Sequence, residues 1–121
     1  MNILGVDWGE KRIGVAIARG PLAEPYNIIS SFEELSKVIR QEGIRQIVLG
    51  LPEGRNQKRV RDLSKRIEQE LGVPVVLRSE VLTTRQALEQ AIKVGKSKKS
   101  RRELDAIAAA ILLQEHLDSI R

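Results

Sequence analysis

The chain contains no cysteine and a single histidine, His116. It therefore cannot form a disulfide, a thiolate zinc site, a cysteine nucleophile or a paired-histidine metal site, and the lack of cysteine favours a reducing compartment. Its three aromatic residues, Trp8, Tyr26 and Phe32, are too few for a protein that stacks successive bases on exposed rings. No apolar run approaches the roughly 20 residues of a membrane span, and the first residues lack the basic opening of a secretory signal. We expect a cytoplasmic protein with no membrane partner.

Basic residues outnumber acidic residues by 21 to 16, and they are concentrated in two regions. The late basic segment, residues 93–102, has six basic residues and no acidic one, and the middle basic cluster, residues 55–66, has six basic residues against Asp62. Such clusters suit a phosphate backbone, because each contact releases condensed counterions. A solvated loop and a polar helix face are the alternative interpretation. The candidate nucleic-acid-binding residues in these regions are Arg55, Lys58, Arg59, Lys96, Lys98, Lys99, Arg101 and Arg102.

The pattern of apolar residues predicts a single α/β domain over residues 1–121, with the element order β-β-β-α-β-α-β-α-α. The connection between the first two strands is so short that they must be antiparallel neighbours. Pro25 indicates that the third strand lies at an edge of the sheet. The predicted strands are 3–7, 12–18, 23–29, 44–51 and 73–77, the predicted helices cover about 32–42, 58–71, 84–92 and 104–120, and a loop is predicted around 96–102.

Acidic residues are predicted to gather at one edge of this sheet. If the first strand lies between its hairpin partner and the later strands, the carboxyl ends of the parallel strands meet at this edge, where ligands bind in open α/β sheets. Asp7 ends the first strand, Glu53 and Glu80 follow the next two, and Asp105 lies one helical turn from apolar residues. Carboxylates without histidine or cysteine suit a hard cation, Mg²⁺ or Mn²⁺. Each acid also has a plainer interpretation, as a turn cap, a solvated residue or a partner of a helix dipole. Glu53 lies near Arg55 in a polar loop, so we interpret it as a solvated residue.

Several segments of the chain form a recognisable set, of which the first is DWGEKRIGVA, residues 7–16. The others are Val48 to Pro52, Leu82-Thr83-Thr84 with Ala87, Asp105 with Ala108-Ala109, and Leu112 to Gln114. In sequence and in order, over nearly the whole chain, they resemble the YqgF family, also called RuvX, whose members are described as Holliday junction resolvases or pre-16S rRNA nucleases. The resemblance implies an RNase H-like fold, in which a central five-stranded mixed sheet has its second strand antiparallel and helices on both faces.

The resemblance also implies an active site, whose acidic residues fall on Asp7, Glu80 and Asp105. They would bind two divalent ions, Mg²⁺ or Mn²⁺, about 4 Å apart, with Asp7 as the bridging ligand, while Lys11 and Arg12 would position the phosphate. The implied activity is metal-dependent cleavage of structured nucleic acid, namely processing of the 5′ end of pre-16S rRNA in ribosome biogenesis, or alternatively resolution of Holliday junctions. The partner would be pre-rRNA or branched DNA. The resemblance leaves two oligomeric states open, a monomer and a homodimer.

The sequence departs from the family at two places. The usual Asp-Glu-Arg is Ser79-Glu80-Val81 here, and the loop after Pro52 looks about six residues shorter. A catalytically weak nucleic-acid-binding module, in which the basic regions persist, is therefore an alternative. A phosphotransferase of the actin and sugar-kinase type would need a two-domain ATP cleft, for which the chain is too short. A serine hydrolase is excluded because no Gly-x-Ser-x-Gly motif is present.

Overall fold

The computed structural model describes residues 1–9, 12–79 and 101–120. Within these ranges it contains five strands and three helices. The strands are β1 (Asn2–Trp8), β2 (Ile13–Ala18), β3 (Ala23–Ile29), β4 (Ile44–Leu51) and β5 (Val75–Ser79), and the helices are α1 (Phe32–Gln41), α2 (Asn56–Leu71) and α3 (Arg101–Ser119). None of these helices is both long and apolar enough to cross a membrane.

The strands form one mixed sheet in the order β3-β2-β1-β4-β5. Strand β2 is antiparallel to β1 and β3, whereas β1, β4 and β5 run parallel. Helices α1 and α2 cover one face of the sheet, and α3 covers the other. The structure confirms the predicted five-stranded sheet with an antiparallel second strand and helices on both faces. Pro25 lies in an edge strand, as predicted.

The face under α1 and α2 carries the larger core. Alternate residues of a strand point to opposite faces, so Leu4 and Val6 of β1 lie on the same side, and both are fully buried. They share one apolar cluster with Leu35 of α1 and Ile67 of α2. Helix α1 begins at its predicted cap, where the Ser31 hydroxyl accepts a hydrogen bond from the backbone N–H one turn later. This side of the sheet therefore follows the apolar periodicity of the sequence.

The face under α3 is built from small residues. Gly5 of β1, together with Gly14 and Ala16 of β2, lies beneath this helix. A Cβ on Gly5 would lie 2.8 Å from the Cβ of Leu113, and a Cβ on Gly14 would collide with the backbone carbonyl of Asp105. Helix α3 therefore lies directly against the backbone of β1 and β2.

Gln114 fixes α3 against the connection between β2 and β3. Its side-chain oxygen accepts a hydrogen bond from the backbone N–H of Ala23 at 2.8 Å, and its side-chain nitrogen donates to the carbonyl of Pro21 at 3.1 Å. Because the Gln114 amide forms hydrogen bonds with two backbone groups of another element, these bonds are kept only if α3 holds one position and one rotation about its axis. Together with the close contact at Gly14, it sets where α3 crosses the sheet.

Strand β5 begins two residues later than predicted. Val73 is buried but precedes the strand, and Pro74 has no N–H to donate to a sheet ladder. The Pro74 carbonyl instead accepts a hydrogen bond from the N–H of Ile47 at 3.0 Å. The regular pairing with β4 therefore starts at Val75, and the strand continues to Ser79.

Two helix boundaries also differ from the prediction. Helix α2 begins at Asn56 rather than at residue 58. Arg101 and Arg102 belong to α3, so the predicted loop does not extend to residue 102. The predicted helix over about 84–92 lies outside the described residues.

His116 is buried near the end of α3, beside β5. Arg78 of β5 donates a hydrogen bond to the Ser119 hydroxyl at 3.2 Å, and that hydroxyl donates to the His116 carbonyl at 2.7 Å. Burial, and then the positive charge of Arg78, lower the pKa of the His116 imidazole below its ordinary value. The folded state therefore favours the neutral imidazole.

Gly14→Ala should destabilise the fold strongly, because the added methyl group meets backbone atoms that cannot yield without moving α3. We expect Tm to fall by about 10 °C, which corresponds to about 3 kcal/mol for a domain of this size. Gly20→Ala is the matched control, since nothing lies within 4 Å of a Cβ at that position, and its Tm should stay within about 2 °C. Equal Tm values for the two variants in scanning calorimetry would contradict the close packing of α3.

The stability of the protein should fall as the pH is lowered from about 7.5 to about 5.5, in part because of His116. In the unfolded chain this residue takes up a proton near its ordinary pKa of about 6.5, whereas its lowered pKa delays protonation of the folded state. The unfolded state therefore binds more protons in this range, which favours unfolding. Between the two pH values, the urea midpoint of unfolding should decrease less in His116→Gln than in wild type. An identical decrease in both proteins would show that His116 is not responsible.

Candidate active site

The carboxyl ends of β1, β4 and β5 lie at one edge of the sheet, and Asp7 is at this carboxyl edge. It is the last but one residue of β1 and only 6% exposed. Because side chains alternate along a strand, Asp7 lies on the same face as Gly5, which packs against α3. A carboxylate in so buried a position requires polar or cationic partners.

Asp105 reaches the carboxyl edge from α3. Gly14 is the residue of β2 that pairs with Asp7 across the antiparallel ladder, and the backbone carbonyl of Asp105 lies against Gly14. This approach is possible because Gly14 has no Cβ. Two acidic residues that are 98 positions apart in the chain therefore occupy neighbouring backbone positions at this edge.

Arg12 forms an ion pair with Asp105. Its Nε donates to Oδ2 of Asp105 at 2.8 Å, and the two side chains are 34% and 21% exposed. The backbone of Arg12 is fixed just before β2, where its carbonyl accepts a hydrogen bond from the N–H of Gly9 at 3.0 Å. An ion pair this exposed contributes about 0.2–1 kcal/mol to stability. It can orient both side chains, yet it is weak enough to be exchanged for a stronger ligand.

Three of the other predicted site residues lie near the carboxyl edge. Arg55, Lys58 and Arg59 are exposed before and within the first turn of α2, which follows the carboxyl end of β4, so they lie near the same edge as Asp7. Ser79 ends β5, exposed, and Glu80 follows it in the sequence. The described residues do not include Glu80, Lys11, Lys96, Lys98 or Lys99, and Arg101 and Arg102 are the first two residues of α3.

The charges of α2 oppose its helix dipole, which favours acidic residues at the N-terminus and basic residues at the C-terminus. The first turn of α2 has no acidic residue and its last turn has no basic one, while Lys58 and Arg59 stand near its start. Arg55, at the cap position, makes no side-chain capping hydrogen bond. This end of the helix is therefore strongly positive, which favours an anion at the carboxyl edge.

The donor atoms at this edge suit a hard divalent cation. Asp7 and Asp105 both offer carboxylate oxygens, which are the ligands that Mg²⁺ and Mn²⁺ prefer. In the described part of the chain no three metal-ligating side chains form a cluster, and the third predicted ligand, Glu80, lies outside it. The Arg12 guanidinium already neutralises the Asp105 carboxylate through their ion pair. The residues present therefore fit a divalent ion, with Arg12 as a competitor for one ligand.

Two features of this site could not be read from the sequence. One is the contact of Gly14 with α3, although small residues at alternate positions, Gly14, Ala16 and Ala18, are a sequence signal for close packing on one face of a strand. The other is the ion pair between Arg12 and Asp105. These residues are 93 positions apart, and their meeting depends on where α3 crosses β2, which no local pattern specifies.

The sequence profile of the RuvX family, described as Holliday junction resolvase, matches residues 1–119. The chain belongs to the RuvX family. This confirms the family that the opening motif at residues 7–16 predicts. It also confirms the predicted nuclease class, since the family's description and the names of its members are those of nucleases.

Relatives named pre-16S rRNA nuclease are similar to this chain over almost its whole length. The relative from Syntrophus aciditrophicus is 34% identical over 135 residues, which cover 99% of this chain and 90% of the relative. The relative from Streptococcus uberis is 37% identical over 140 residues, which cover 98% of each. Both alignments are longer than the 121 residues of this chain, so the relatives contain insertions that it lacks. Strand β4 and helix α2 are joined here by residues 52–55 alone, where the sequence predicts a shortened loop.

Solved structures of RuvC from Thermus thermophilus share the fold of this RuvX chain. One, described as RuvC in complex with Holliday junction substrate, has a TM-score of 0.61 at 13% identity and covers 98% of this chain and 94% of RuvC. A second RuvC structure has a TM-score of 0.60 at 11% identity. At such low identity the comparison concerns the fold alone, and it confirms the predicted RNase H-like architecture.

Proposed function

We propose that this RuvX chain is a metal-dependent nuclease that acts as a single RNase H-like domain on structured nucleic acid, with Asp7, Glu80 and Asp105 as its catalytic residues. The observation that carries this proposal is the placement of two acidic residues at neighbouring backbone positions of the carboxyl edge, Asp7 from β1 and Asp105 from α3. Acidic side chains at neighbouring positions add to the negative charge of this edge, so the arrangement favours a bound cation. Glu80 follows the last residue of β5 and would supply the third carboxylate.

The chemistry that bound Mg²⁺ or Mn²⁺ supplies is activation of a water and stabilisation of the leaving oxygen of a phosphodiester. Asp7, Glu80 and Asp105 would hold the metal through their carboxylate oxygens. Asp7 is fixed within a central strand, and Asp105 is fixed by the contact of its backbone with Gly14. Side chains on rigid elements keep their geometry when substrate binds, which is what a metal site requires.

The nucleic-acid backbone would bind along the positive surfaces around the carboxyl edge. The start of α2 supports this assignment, because its basic residues are exposed and oppose the helix dipole. Lys11 and Arg12 follow Asp7 by four and five residues in the sequence and would position the phosphate. The binding residues we propose at the start of α2 and in the late basic segment are Arg55, Lys58, Arg59, Lys96, Lys98, Lys99, Arg101 and Arg102.

We propose pre-16S rRNA as the substrate, in the cytoplasm, and a Holliday junction as the second candidate. The relatives are named for pre-16S rRNA, whereas the family description names the Holliday junction. Contacts to phosphate carry little sequence information, so the same basic surfaces could serve either backbone. Symmetric cleavage of a junction needs two active sites and therefore a homodimer, whereas a single cut in RNA requires only a monomer.

Purified protein with Mn²⁺ should cleave labelled pre-16S rRNA fragments, and Asp7→Asn should reduce the rate by at least about 100-fold, because a carboxylate ligand becomes a neutral amide. Asp118→Asn is the matched control. Asp118 is exposed near the far end of α3, and its hydrogen bond from Gln114 can persist in the amide. Rates are read on denaturing gels with the RNA and with a four-way DNA junction in parallel. Cleavage of the junction alone would favour the second candidate, and binding without cleavage of either substrate would favour a binding module.

Neutralising the start of α2 should lower the salt dependence of nucleic-acid binding. Removing one basic side chain from a phosphate reduces the slope of log K against log salt by about 0.7–0.9, so Lys58→Gln with Arg59→Gln should reduce it by about 1.5. Arg40→Gln with Arg45→Gln removes the same charge from exposed positions at the end of α1 and at the amino end of β4, and should change the slope less. Equal slopes for the two double variants in titrations from low to high salt would argue against binding at the carboxyl edge.

A further inference from the structure

The Arg12–Asp105 ion pair joins a predicted phosphate-positioning residue to a predicted metal ligand. The backbone of each partner is fixed, Arg12 by the hydrogen bond that its carbonyl accepts from Gly9 and Asp105 by its contact with Gly14. What remains free to change is the torsion of two side chains. About one third of the Arg12 side chain is exposed, so its guanidinium has a path to solvent at the carboxyl edge.

The guanidinium and a divalent cation would compete for the same carboxylate, that of Asp105. Asp105 has one negative charge, and a divalent ion bound to it would repel the Arg12 guanidinium at the same time as it takes the oxygen. A guanidinium that leaves its carboxylate retains five N–H donors in a planar fork, which match the oxygens of a phosphate. The released side chain would be beside the place where the proposed substrate binds.

We infer that Arg12 is the counterion of Asp105 in the metal-free protein and moves to the phosphate backbone when a divalent cation binds that carboxylate. This inference rests on the proposed function, since it takes Asp105 as a metal ligand and nucleic acid as the substrate. Arg12 is then a positioning residue that couples the two binding events. By linkage, metal bound at Asp105 strengthens nucleic-acid binding through Arg12, and nucleic acid strengthens metal binding by the same factor.

The chain offers a matched control for this ion pair. Arg19 donates to a carboxylate oxygen of Glu42 at 2.8 Å, the same distance as in the Arg12–Asp105 pair. Arg19 follows the last residue of β2, whereas Arg12 precedes the first, so the control pair lies at the opposite end of the strand. Arg19→Gln therefore removes a similar ion pair and the same charge away from the carboxyl edge.

The first measurement is the rise in Tm that Mg²⁺ produces in wild type, Arg12→Gln and Arg19→Gln. Without the competing guanidinium, Arg12→Gln should give a larger rise than wild type, and Arg19→Gln should match wild type. No rise in wild type at millimolar Mg²⁺ would contradict the proposed metal site itself. An equal rise in wild type and Arg12→Gln would contradict only the competition between Arg12 and the metal.

The second measurement is the affinity for a fluorescein-labelled four-way DNA junction, read by stopped-flow anisotropy before turnover, with EDTA and with Mg²⁺. With EDTA, Arg12→Gln should bind only slightly more weakly than wild type, because Arg12 is held by Asp105 and only the neutralisation of that carboxylate is lost. With Mg²⁺ it should bind about fivefold more weakly than wild type, and Arg12→Lys, which keeps the charge, should recover part of this affinity. Equal weakening under both conditions would show that Arg12 contacts phosphate permanently. No weakening under either condition would show that the ion pair is structural.

Discussion

The contact between Gly14 of β2 and the backbone of Asp105 in α3 is the constraint on which the rest of the site depends. Gly14 pairs with Asp7, so a point where the backbone of α3 lies directly against the sheet is also the point where one acidic residue is buried. Any larger residue at Gly14 would push the start of α3 away from Asp7. The small residues on this face thus serve packing and the placement of a carboxylate at once.

The carboxyl edge combines several arrangements that stability alone would not favour. Asp7 is a buried acid, Asp105 is a second acid at a neighbouring position, and α2 begins with basic residues that its own dipole opposes. Elsewhere the chain follows ordinary rules, as in the Ser31 cap of α1 and the left-handed Gly72 that ends α2. Local departures from these rules that converge on one edge are typical of a functional site. A bound cation would offset the negative charge of the two acids, and a phosphate backbone would offset the positive charge at the start of α2.

Much of the fold could be predicted from the sequence because local rules determine it. The strands 23–29 and 44–51 have the predicted bounds, and the Ser31 cap marks the start of α1 as predicted. The start of β5 could not be predicted from its apolar residues, because Val73 is buried without joining the ladder and Pro74 cannot donate to it. In the site, the positions of Asp7 and Asp105 follow from motif and topology. The ion pair with Arg12 does not, since it requires the crossing point of α3 over β2, which depends on packing between distant segments.

The most direct test of the central claim is the position of Mn²⁺ in a crystal of the full chain, located from its anomalous scattering. We expect a strong peak at the carboxyl edge, within coordination distance of carboxylate oxygens of both Asp7 and Asp105, with the Arg12 guanidinium displaced from Asp105. Two results would contradict the claim that α3 packs on Gly14 to build a metal site. One is a fully occupied Mn²⁺ site that involves neither carboxylate. The other is the absence of any Mn²⁺ at this edge at millimolar concentration, with the Arg12–Asp105 pair intact.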